Sequence, residues 1–180
     1  MERVPFRATE GAAPYAELRL PVTILLDNVR SMYNVGAFFR TGDGAGLERL
    51  LLSGITARPP KSAISKTALG AEERLAWESV DDAAHCIAGL RANGYEIAAI
   101  ETSVNAVDIF DWQPRFPVCV LFGHEVDGLS PVLLNQCDAH VRIPMLGLKH
   151  SLNVASAGAV VMYELLRKYR TLNVNPCSRM

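Results

Sequence analysis

The sequence predicts an α/β fold, a mostly parallel sheet with helices on both faces. Three observations carry that prediction. Short β-rich runs alternate with helix-length segments along nearly the whole chain. The runs are apolar at consecutive positions, as strands covered on both faces are. Helix starts and stops punctuate the intervals between them.

Taken in order, Val22 to Leu26, closed by Asp27 and Asn28, is the first buried strand. Asn34 to Gly44 follows as a helix with Val35, Phe38 and Phe39 on its apolar face. Arg49 to Ser53 is a second strand, and Arg58 to Gly70, with two prolines and many small or polar residues, reads as a surface loop. Asp81 caps the next helix, Ala83 to Leu90 supply its body, and Gly94 marks its stop. Glu96 to Ile100 and Val118 to Phe122 are further strands. Ser130-Pro131 opens another helix, a capping hydroxyl followed by proline at the first helical position. Val141 to Ile143 is a strand. Ser151 to Tyr169, with Ser151 as its cap, is the longest helix and ends in basic residues that suit its dipole. No repeat or linker interrupts the chain, so one domain over 19–172 is expected, with an N-terminal arm at 1–18 and a tail at 173–180.

Of the 180 residues, 49% are hydrophobic and 21% charged, enough for one sizeable core. No apolar run reaches the roughly 18 residues a bilayer span needs. The opening residues Met1 to Arg7 lack the apolar stretch of a secretory signal, so a cytoplasmic location without a membrane is expected. Cys86, Cys119, Cys137 and Cys177 form no C-x-x-C pair and read as reduced thiols. Cys137 and His140 have C-x-x-H spacing but no second ligand pair, so no metal is expected. The net charge of −1 does not by itself point to nucleic acid. The cations are uneven, however: Arg30, Arg40, Arg49, Arg58, Lys61 and Lys66 fall in the first half, and Arg167, Lys168 and Arg170 close the last helix.

Ligands of open α/β sheets bind outside the carboxyl ends of the strands, and three polar clusters stand at such ends. The first runs from Asp27 to Arg40; Asn34 and Arg40 are about two helical turns apart, which puts both roughly on one face. The second is Gly123 to Ser130, where two glycines bracket acidic residues and allow backbone to approach a ligand closely. The third, Ile143 to Asn153, runs from a strand through a glycine-containing loop into the long helix. Each alone has a structural explanation: a cap and a surface arginine, an exposed acidic turn, a helix start. Asn153 is the hardest to explain so, because Ser151 already offers a cap.

In order, the motifs Asn34-Val-Gly-Ala-Phe-Phe-Arg40, Gly123-His-Glu-Val-Asp-Gly-Leu-Ser130 and Ile143-Pro-Met-Leu-Gly-Leu-Lys-His-Ser-Leu-Asn153 resemble the SpoU (TrmH-like) family of the SPOUT RNA methyltransferases. The resemblance extends over Leu20 to Tyr169 and includes Lys66-Thr-Ala-Leu-Gly-Ala-Glu-Glu73. It implies an S-adenosylmethionine-dependent enzyme that methylates a ribose 2′-hydroxyl of transfer or ribosomal RNA. It implies Arg40 as the catalytic arginine and Asn34, Glu125, Ser151 and Asn153 as its polar partners. Ile100, Gly123, Ile143, Met145 and Leu152 fall on cofactor positions. It further implies an α/β-knot with a C-terminal trefoil knot, which no pattern argument would propose, and a homodimer with the active site near the subunit interface. The second motif departs from the family's Gly-Asn-Glu-Gly: His124 and Val126 replace the asparagine and second glycine, and Val126 resists a positive φ.

Methyl transfer from a sulfonium to an alcohol asks the protein to align the two reactants and to stabilise developing alkoxide. A guanidinium stays charged at neutral pH, so Arg40 reads as an electrostatic clamp on the oxygen and neighbouring phosphate. Arg30, Lys66, Arg167 and Arg170 are secondary candidates for phosphate contacts. Two other readings stand beside this one. Gly42, Gly44 and Gly46 imitate a dinucleotide fingerprint but follow a helix rather than a strand. A catalytically silent RNA-binding or assembly protein of the same fold would keep the architecture without the reaction. Among RNAs, the near-neutral charge favours a structured target read by shape, transfer RNA before ribosomal RNA.

Overall fold

The computed structural model describes residues 19–103 and 105–173. The expected arm, the Met1 to Arg7 start, residues 174–180 of the expected tail and Cys177 lie outside the described residues. In chain order the elements are β1 (Leu20–Asp27), α1 (Met32–Ala45), β2 (Leu47–Ser53), α2 (Ser62–Ala68), a short 3₁₀ turn (Ala71–Glu73), β3 (Trp77–Val80), α3 (Ala83–Ala92), β4 (Glu96–Ile100), β5 (Val107–Asp108), β6 (Val118–Phe122), α4 (Pro131–Leu134), β7 (Ala139–Arg142) and α5 (Val154–Asn173).

The seven strands form one sheet in the order β3-β2-β1-β6-β4-β7-β5, and every pair is parallel. Parallel strands must be joined by crossovers, which cover the faces and demand apolar side chains on both. Accordingly, Val22, Ile24 and Leu26 of β1 pack into one core with α1, α2 and α5, while Leu25 packs into a second with α3 and α4. Helices on both faces are as the sequence predicts.

The chain runs outward through β1, β2 and β3, then crosses to β4 on the other side of β1, and β6 later fills the gap between β1 and β4. The carboxyl ends of β1, β6 and β4 therefore meet where the winding changes direction, the place such sheets use for ligands. Helix α5 packs on α1 beside this point. A β-carbon at Gly158 would lie 2.4 Å from the Phe38 ring, and Phe38 meets Phe122 edge-on with centroids 5.1 Å apart.

The structure corrects several local expectations. The supposed surface loop 58–70 contains α2, whose Ile64 and Ala68, one turn apart, are buried against the core. Asp82, not Asp81, caps α3, accepting the His85 N–H at 2.9 Å. The edge strands β3 and β5 were not expected. Ser151 does not cap the last helix; α5 begins at Val154, and Asn153 Oδ1 accepts from Ala155 and Ser156 N–H at 2.9 and 3.3 Å. Nor do the basic residues at its end simply answer its dipole. Buried Lys168 donates to the carbonyls of Phe110 and Trp112, pinning the 109–112 segment. Cys137 and His140 each engage a backbone carbonyl of α4, Leu133 and Leu134 respectively. No helix among the described residues is long and apolar enough to cross a membrane.

Candidate active site

At the switch point lies an open cleft of about 360 Å³, within the range of small-molecule sites. The end of β4 (Ile100), the end of β6 and its turn (Phe122 to Gly128), the 143–153 segment and the start of α5 surround it. All five positions singled out for a cofactor, Ile100, Gly123, Ile143, Met145 and Leu152, line this one cleft, and Glu125, Ser151 and Asn153 line it with them.

The turn after β6 is shaped by its glycines. His124 and Gly128 pair through two backbone hydrogen bonds of 3.1 and 2.9 Å, and the positive φ this requires falls on Gly128, not Val126. The departure at Val126 is therefore harmless to the backbone, and its side chain stands exposed. Gly123 is pressed against the far side of the turn: a β-carbon there would lie 2.3 Å from the Gly128 carbonyl carbon. His124 Nδ1 stands 3.3 and 3.1 Å from the Val126 and Asp127 N–H groups and 2.9 Å from Asp127 Oδ2. Its place is in the turn.

One polar network ties the three motifs together. Glu125 accepts from the Arg30 N–H at 3.0 Å, the Ser31 N–H at 3.1 Å and Asn34 Nδ2 at 3.1 Å. Asn34 Oδ1 accepts from Asn153 Nδ2 at 3.2 Å, while Asn153 Oδ1 caps α5. Ser31 in turn caps α1, its Oγ accepting the Asn34 N–H. Partial burial pushes the Glu125 carboxyl up, but the Arg30 and Ser31 N–H groups, its own turn backbone and the Asn34 amide outweigh it, so the group sits below the ordinary glutamate value. A carboxylate fixed this way is a structural clasp as much as a reactive group.

Arg40 is exposed on α1 and is not among the residues lining the cleft. Six residues along an α-helix turn through about 600°, leaving Asn34 and Arg40 about 120° apart around the axis rather than on one face. Arg30 and Lys66 are exposed. Arg167 already holds Glu164 through Nε and Nη2 at 2.8 and 2.7 Å; Arg170 is exposed near the end of α5. Sequence reasoning missed Glu101, Thr102 and His150 as cleft residues. The first two were detectable as polar residues directly following a predicted strand.

Residues 21–163 match the family model described as the SpoU rRNA Methylase family. Two curated relatives, both named as TrmH family tRNA/rRNA methyltransferases, come from Staphylococcus haemolyticus and Staphylococcus epidermidis. The first is 29% identical over 87% of this chain and 62% of its own length; the second is 30% identical over 86% and 61%. The chain thus spans about three-fifths of the length of the curated relatives it matches. Among solved structures, the A. aeolicus TrmH/SpoU tRNA modifying enzyme superposes with a TM-score of 0.78 at 25% identity, over 86% of this chain and 78% of that one. The SpoU methyltransferase AviRb of Streptomyces viridochromogenes, in complex with AdoMet, superposes with a TM-score of 0.76 at 27% identity, over 86% and 60%.

Proposed function

The chain belongs to the SpoU rRNA Methylase family, and on that premise we propose that it transfers a methyl group from S-adenosylmethionine to a ribose 2′-hydroxyl of transfer or ribosomal RNA. The observation that carries this reading is the convergence of Ile100, Gly123, Ile143, Met145 and Leu152 on one cleft, with Glu125 and Asn153 beside them. The cleft fits the group. Its apolar side chains suit an adenine, and its carboxylates suit a cation.

When bound, S-adenosylmethionine supplies a methyl group activated by a positively charged sulfur. The chain's own residues hold and orient. Ile100, Ile143, Met145 and Leu152 form the apolar wall; Ser151 offers a hydroxyl and Asn34 and Asn153 offer amides for ribose, phosphate or the cofactor's amino-acid end. Glu125 keeps Asn34 and the start of α1 in register with the β6 turn. Arg40, permanently charged, clamps the 2′-oxygen and adjacent phosphate as alkoxide character develops.

Several features complete the proposal. A C-terminal trefoil knot is supported by the strand order: β7 inserts between β4 and β5, and the chain then returns to pack α5 on α1. A homodimer is supported by the exposed Val160 and Tyr163 on α5 and Met32 and Tyr33 on α1. A cytoplasmic site of action suits an RNA substrate. Transfer RNA is the preferred target, since a near-neutral chain lacks the charge to follow a long duplex.

The test is binding of S-adenosylmethionine by calorimetry, followed by transfer of a labelled methyl group to total RNA. Arg40→Ala is expected to abolish transfer and leave cofactor affinity nearly intact; cofactor binding lost with the arginine overturns that division of labour. Activity of Arg40→Lys restored at high pH would assign Arg40 a proton-abstracting role instead. Cofactor binding without transfer to any RNA favours the silent binding protein.

A further inference from the structure

One carboxylate at the cleft has no part in the chemistry above. Glu101 directly follows β4, is half-buried and borders the cleft. Its Oε1 accepts from the Thr102 N–H at 2.8 Å and from the Thr102 hydroxyl at 3.4 Å. Its Oε2 abuts Gly128, where a β-carbon would lie 2.9 Å away, and takes no hydrogen bond from the described residues. Glu101 is thus held from one side with one oxygen left over.

The other acids of the cleft are differently placed. Glu125 is taken by Arg30, Ser31 and Asn34, and Asp127 is exposed to solvent, where its charge is screened. Among the described residues, no lysine or arginine lines the cleft. Negative charge there goes uncompensated by the cleft's own side chains, and in a partly desolvated site it discriminates between ligands by their charge.

The proposed reaction changes that charge. The sulfur–methyl bond breaks, an oxygen–methyl bond forms, the sulfur keeps the bonding pair, and the hydroxyl proton goes to solvent. The donor's sulfonium becomes a neutral thioether while the rest of the molecule is unchanged. We propose that Glu101 is a specificity-determining residue that reads this difference, holding the cationic donor more tightly than the thioether product and so promoting product release. The inference rests on the methyl donor assigned above and deepens it.

Calorimetry on the full chain tests it with three ligands: S-adenosylmethionine, its demethylated thioether product, and an analogue carrying an amine in place of the sulfonium. Glu101→Gln keeps the shape and an oxygen for Thr102. It is expected to weaken the two cationic ligands about five- to tenfold and the thioether by no more than about twofold. Glu101→Ala should collapse the selectivity likewise. Equal weakening of all three ligands would mean hydrogen bonding to their shared ribose, and would overturn the charge role, as would no change. If the native chain binds none of the three, the donor assignment itself fails and the inference with it; if it binds them and the variants shift alike, only the inference fails.

Discussion

Replacing Gly123 with alanine should damage the cleft by steric means alone. Gly123 does not need a positive φ, so alanine is conformationally allowed there. The added β-carbon would nevertheless lie 2.3 Å from the Gly128 carbonyl carbon, 2.5 Å from its oxygen and 2.5 Å from the Leu129 nitrogen. All three are backbone atoms and cannot swing aside. To reach an ordinary carbon contact of roughly 3.5 Å, the 124–128 turn must retreat by about 1 Å. Overpacking of this kind costs about 1–3 kcal/mol. At about 2–4 °C per kcal/mol for a chain of this size, the melting temperature should fall by about 2–12 °C. The retreat also draws Glu125 away from Arg30, Ser31 and Asn34, so donor affinity should fall by about tenfold or more. Thermal unfolding and calorimetry read the two effects. Gly147→Ala is the control, because nothing lies within 4 Å of its β-carbon; its melting temperature should stay within about 2 °C. Native stability and affinity in Gly123→Ala would refute the packing argument.

Asn153 has two separable duties. Asn153→Ala removes the cap of α5 and should cost about 1 kcal/mol in chemical denaturation. Asn153→Asp keeps an acceptor at the helix start but loses the donor to Asn34; stability should be retained while methyl transfer falls, and a loss of both together would show the contact to Asn34 to be structural. Glu125 predicts a pH dependence. Its folded-state value lies below the ordinary one, so the stability it contributes is fully present above the unfolded value of about 4.3 and is lost as pH falls through the folded one. Glu125→Gln should therefore be less stable than the native chain at pH 7, with the gap closing below about pH 4; a gap that stays constant across that range refutes the assignment.

The features legible in the sequence were those decided by neighbours in the chain. Val22 to Leu26 and Val118 to Phe122 had to be interior strands because consecutive apolar residues hide both faces. Ser130-Pro131 had to start a helix, and Gly94 to follow one, because capping and φ preferences act over three or four residues. Tertiary structure decided where such local signals were weak or doubled. Helix α2 is short and needs α1 to cover Ile64 and Ala68, so Pro59 and Pro60 before it and the polar residues within it suggested a loop. Ser151 and Asn153 are both good caps, and Asn153 holds the position where it also meets Asn34.

The three polar clusters were legible as strand-end features, and their motifs carried the family. The assembly of Glu125, Asn34 and Asn153 into one network was not, because those contacts join residues up to 119 positions apart and depend on β6 lying beside β1. The same holds for the placement of Arg40 on another side of α1, and for Glu101, whose spare oxygen becomes visible only once Gly128 is packed against it. Sequence alone determined the interior strands, the well-capped helices and the motifs that carry the family, since those follow from local sterics and burial. Strand order, long-range packing and the engagement of each polar group were left to the folded chain, because a group's free valence exists only relative to the partners that folding brings to it.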